Sequence, residues 1–151
     1  MLNDSQRTSL CIAMRLIEDR MREIEWLLDH PDQYRLMSEV RNDMSGEMVR
    51  ALREKIPGVY ALIMTLRDRF ALPSEIKQAS REASKGLSQF WVMLQESNAK
   101  ALRRYGEVDP ALAPRLDPEI ASLANLMLEL QSVLFGGLAG SDSKSKNRRA
   151  H

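Results

Sequence analysis

The chain has one cysteine, Cys11, and two histidines, His30 and His151. A single thiol cannot form an internal disulfide or a multi-thiolate zinc site. Di-iron helical bundles need a Glu-x-x-His pair on facing helices, and no such motif occurs. Glu18, Asp19, Glu23 and Glu25 are interleaved with arginines, so they read as a solvated face and not as a carboxylate metal site. No metal and no cofactor are implied. Phosphate-loop and Gly-x-Gly-x-x-Gly motifs are both missing, and Gly136-Gly137 closes a helical pattern where a phosphate cradle would open one. Cys11 lies in an apolar run with no histidine near it in sequence, the setting of a small buried hydrophobe. The reading is of a protein that is not an enzyme.

Long apolar runs are lacking too. Ile56–Leu66 carries no charge but is eleven residues long, short of the ~18 that a membrane span requires. Asp4, Arg7 and Arg15 interrupt the first twenty residues, which leaves no signal-peptide core. A reduced, cytoplasmic protein is the expectation. Aromatics make up only 5% of the chain and glycines number seven. With Leu, Ala, Met, Arg and Glu abundant, this composition favours helix over sheet.

Four long amphipathic segments carry the pattern. The first spans about Ser5 to Asp29, opened by Asn3 and Gln6 in capping-box spacing and stopped by His30-Pro31. Leu10, Met14, Ile17, Met21, Ile24 and Leu28 are spaced alternately by four and three, which a helix places on one seam. Between Pro31 and Gly46, Tyr34, Met37 and Val40 share a helical face, so a short helix is expected at about 32–42. The second segment spans about Glu47 to Ala71 with Ser45 as its cap. Its seam of Val49, Leu52, Ile56, Val59, Ile63, Leu66 and Phe70 runs without slippage through Pro57-Gly58. An interior proline costs about 3 kcal/mol, so a kinked helix is predicted there.

The third segment is expected to run unbroken from about Glu75 to Tyr105, close behind the Leu72-Pro73-Ser74 break and closed by Gly106. Glu107 to Leu116 reads as a loop. Asp117-Pro118-Glu119 combines a cap, a first-turn proline and an acid, predicting a fourth helix from about Pro118 to Phe135. Its seam is Ile120, Leu123, Met127, Leu130 and Leu134. The fold class predicted is all-α, an antiparallel four-helix-bundle-like domain over residues 1–137. Residues 138–151 are expected to form a disordered basic tail.

Three surfaces compete for function. The first and last segments are apolar on more than one side. Ile12, Leu16 and Trp26 lie off the first seam, and Leu128 and Phe135 form a second column on the last. A helix apolar on two sides must be enclosed by its own chain or by another. These five residues are therefore the expected interface, in a homo-oligomer, with a dimer favoured, or against another protein. Lys77, Arg81 and Lys85 repeat every four residues and could hold an anion, giving with the basic tail a weak nucleic-acid binder. Glu75 and Glu82 flank that stripe, and no aromatics interleave with it, which argues against nucleic acid. Pro57, Tyr60 and Met64 would line a groove at the kink in a small-molecule sensor. Exposed charges are expected to pair along helices, as in Arg15–Asp19, Glu18–Arg22, Arg50–Glu54 and Glu96–Lys100.

Overall fold

A computed structural model describes the backbone of residues 1–146 and the side chains of residues 1–136. The chain is mostly helical, with little strand. Among the described residues no helix is long and apolar enough to cross a membrane. Backbone contacts gather into two compact units, Met1–Glu75 and Ile76–His151, where the sequence reading has one helical domain over 1–137.

The first unit contains α1 (Asp4–Asp29), β1 (Gln33–Tyr34), β2 (Glu39–Val40) and α2 (Gly46–Phe70). The capping box at Asn3 forms in both directions. The Asn3 side chain accepts the Gln6 N–H, and the Gln6 side chain accepts the Asn3 N–H, each at 2.9 Å. Two orphan donors are thereby satisfied where α1 begins. Ser45 caps α2 by accepting the Met48 N–H at 3.2 Å. At its other end Ala71 turns left-handed, with φ 50°, and the buried Leu72 sends its N–H back to the Arg67 carbonyl.

The side-chain links between α1 and α2 fix their direction. Asp29 meets Arg53 at 3.0 Å, and Glu25 meets Tyr60. Later residues of one helix thus face earlier residues of the other, so the two are antiparallel. Cys11 and Leu28 of α1 are buried, as are Ile56 of α2 and Leu72. Complete burial of such a side chain contributes roughly 1.5–3 kcal/mol, more than an exposed ion pair supplies. α2 is continuous in helix through Pro57.

The segment expected as a short helix at 32–42 is instead a β-hairpin. Gln33 pairs with Val40 and Tyr34 with Glu39 in antiparallel register. Its base is closed by the Asp32 carboxylate, which accepts the Asn42 N–H at 3.0 Å. A helix here would need a packed face to offset its nucleation cost. None exists, because Tyr34, Leu36 and Met37 are all exposed, Leu36 completely at 102%.

The second unit contains α3 (Ala79–Ser84), α4 (Leu87–Gln95), α5 (Ala99–Leu102), a 3₁₀ turn (Arg103–Tyr105) and α6 (Leu112–Lys146). The single helix expected over 75–105 is therefore three helices and a turn. Gly86, at φ 79°, breaks the first junction, with the Phe90 ring folded against its α-carbon side. At the second junction the Ser97 hydroxyl donates to the Met93 carbonyl, and Asn98 caps α5 by accepting the Ala101 N–H at 2.8 Å. Ser and Asn side chains compete here with the helical ladder.

α6 begins six residues ahead of the expected start at Pro118. Asp109 initiates it, its carboxylate accepting the Ala111 N–H and its carbonyl accepting the Leu112 N–H. Pro114 then falls in the first turn, where its missing donor is not needed. Pro118 is inside the helix, leaving the Pro114 carbonyl without its usual partner. Asp117 is not a cap but a bridge, since its carboxylate accepts the Ala99 N–H at 2.8 Å. α6 also continues past Gly136-Gly137 to Lys146, so the disorder expected from 138 is not what the backbone does up to that point. The rest of the expected tail, 147–151, lies outside the described residues.

Candidate functional site

Each residue expected at an interface is solvent-facing. On α1, Ile12 and Leu16 are exposed, Leu16 at 65%, and Trp26 is exposed at 56%. At about 100° per residue they share one side of the helix. Asp19 and Glu23 lie between them on that side, so the apolar surface is divided in two. Trp26 stacks on the His30 ring, centroids 3.7 Å apart, and the His30 Nδ1 lies 3.0 Å from the Trp26 carbonyl. Beside it is a shallow open groove of about 440 Å³ lined by Trp26, Leu27 and Val40 together with Arg22 and Arg35. On α6, Leu128 and Phe135 are likewise exposed.

Tyr60, expected as a groove wall, ties α1 to α2. Its hydroxyl donates to the Glu25 carboxylate, and the Arg22 guanidinium lies 4.5 Å from its ring centroid. Arg22 also reaches Glu18 at 3.5 Å and Glu25 at 3.7 Å. Partial burial, and then the hydrogen bond to Glu25, raise the Tyr60 pKa above its ordinary value, against the opposing pull of Arg22. Pro57 and Met64, on the same helix, are exposed.

The three basic residues of the expected anion stripe do not share a helix. Lys77 precedes α3, Arg81 is within it, and Lys85 follows its end. The Lys85 ammonium reaches the Glu82 carboxylate at 2.8 Å. That hydrogen bond, with the charges of Lys85 and Lys77, holds the Glu82 carboxyl below the ordinary range. The Lys85 charge is thus answered locally. Of the four expected helical ion pairs, Glu18–Arg22 is made, while Arg15 meets Glu75 at 3.5 Å and Glu96 meets Arg104 at 3.6 Å.

Apolar residues outside the five expected at an interface are also exposed. Leu123 and Leu130, expected in the inner seam of the last helix, are exposed, as are Leu126 and Val133. The seven-residue spacings 123–130 and 126–133 were the available signal. Phe90 and Met93 of α4 are exposed as well.

No family model matches the chain, and neither does any curated protein or solved structure.

Proposed function

We propose that this is a non-enzymatic interaction protein that self-associates, or docks a protein partner, through apolar faces on α1 and α6. The observation that carries the reading is the exposure of Ile12, Leu16, Trp26, Leu128 and Phe135 together. Large apolar side chains occur singly on any surface, but pairs of them on one side of a helix, Ile12 with Leu16 one turn apart and Leu128 with Phe135 two turns apart, point to surfaces that another molecule covers. The shortage of buried residues points the same way. Among the described residues the second unit buries only Ala99 and Ala124, and two alanines make a poor core. Bundle-like packing of antiparallel helices, with a bend at Pro57-Gly58, belongs to the same proposal, as does action in the cytoplasm. Trp26 and Phe135 would be the anchors, since buried aromatics dominate interface energetics.

Light scattering on the full chain tests this. A solution mass that is a multiple of 17.2 kDa, and that falls in Leu128→Asp or Phe135→Asp, supports self-association. A wild-type mass of 17.2 kDa overturns it.

A further inference from the structure

Two contacts set the direction of α4, with the segment just beyond it, against α6. The Gln131 side chain reaches the Ser88 hydroxyl at 3.5 Å, and Asp117 holds Ala99 at 2.8 Å. The pairings run in opposite senses, so this is an antiparallel helical hairpin. Its buried stripe contains Ala124, with the half-buried Ile120, Met127 and Leu134 on the same side of α6. Ser88 and Gln131 occupy one flank of the contact.

The other flank is apolar on both helices. At about 100° per residue, Phe90 and Met93 lie across α4 from Ser88. Leu123, Leu126, Leu130 and Val133 lie across the α6 stripe from Leu128 and Phe135. All six are exposed, from 44% at Leu123 to 72% at Val133. The α6 residues are spaced by three, four and three, the repeat of a helix-packing seam. Glu129 is the one charged residue between Ile120 and Phe135, and it falls on the far side of α6 from the buried stripe.

We propose that this flank of the α4–α6 hairpin is where a second copy of the chain seats, two hairpins closing a four-helix bundle. The inference rests on the self-association proposed above and gives it a face of α6 other than that of Leu128 and Phe135, which is left to a protein partner. Three arguments favour a second copy as the occupant. Helices packed in a single layer enclose little core and need a second layer, and among the described residues of this unit only Ala99 and Ala124 are buried. The six residues of the face carry no charge, and Glu129 borders it about one turn from Val133, so a two-fold pairing can keep the two glutamates at its rim. The area is also sufficient. Six side chains each baring on the order of 100 Å² give about 1,200 Å² over two copies, the lower bound for a specific interface.

The test is light scattering on full-length wild type, Met93→Glu and Val133→Glu, with circular dichroism to follow helicity. The two substitutions sit on different helices at exposed positions. Wild type at twice 17.2 kDa, with each variant returning to the single-chain mass, is the expected result. Should a variant lose helicity, dilution of the wild type decides instead. Mass and helical signal then fall together, and a mass that falls with helicity unchanged overturns the inference. A wild-type dimer that survives both substitutions overturns this face and leaves self-association standing. A wild-type monomer overturns both. Leu128 and Phe135 lie on the opposite flank, so their variants report on a separate surface.

Discussion

The carboxylate of Asp117 accepts the backbone N–H of Ala99 at 2.8 Å, eighteen residues away in sequence. That N–H is the first of α5 and has no intrahelical acceptor, and Ala99 is buried. The bond therefore satisfies a donor that water reaches poorly, and it pins α5 to the first turns of α6. Removing it leaves an unsatisfied group, which costs about 1–3 kcal/mol. Asp117→Ala should lower stability to urea by that amount, while Asp117→Asn, which keeps an acceptor oxygen, should lose less. Equal stability of the alanine variant and the wild type would refute the assignment.

Tyr60 and Glu25 make the corresponding link in the first unit. Because the folded state raises the Tyr60 pKa, folding favours the protonated phenol. The stabilisation is complete below the unfolded value of about 10 and is lost as pH rises through the folded value. Wild type should therefore lose more stability above pH 10.0 than Tyr60→Phe does, as read from urea midpoints on either side of that pH. At neutral pH Tyr60→Phe should cost about 1 kcal/mol, the net contribution of a typical hydrogen bond.

Gly86 carries a different constraint. At φ 79° a side chain is strained whatever the space, and a Cβ there would lie 3.3 Å from the Phe90 ring. The left-handed conformation alone costs a non-glycine residue about 1–2 kcal/mol. Gly86→Ala should lower the midpoint of thermal unfolding, and Gly58→Ala, with nothing within 4 Å and no positive φ, should raise it by relieving an interior helical glycine.

What the sequence revealed was whatever is settled within a turn or two of chain. The Asn3–Gln6 box, the Ser45 cap and the stop at His30-Pro31 depend on neighbours three or four residues apart, and all of them formed. Asp117 misled because its side chain had two uses. Its spacing before Pro118 suits a cap, yet a distant N–H claims the carboxylate. The third segment failed for the converse reason. Apolar periodicity over 75–105 averages across Gly86 and the Ser97-Asn98 pair, where purely local bonds break the ladder. Pairing in the 33–40 hairpin hinges on strand register, which helical periodicity at Tyr34, Met37 and Val40 concealed. At the candidate interface, exposure of Trp26 and Phe135 was legible because too many apolar residues crowd those helices. For Leu126 and Val133 the seven-residue spacing was the one signal, and it did not settle their exposure, since one wide apolar arc on α6 does not say which part its own α4 covers.

Cys11 is 6% exposed and is the chain's one thiol. A sulfhydryl reagent can reach it only in the moments when its surroundings part. Its modification rate is thus a built-in clock for breathing of the α1 region, readable without altering a single residue. Any cysteine introduced on an open surface would react ahead of it and carry a probe alone.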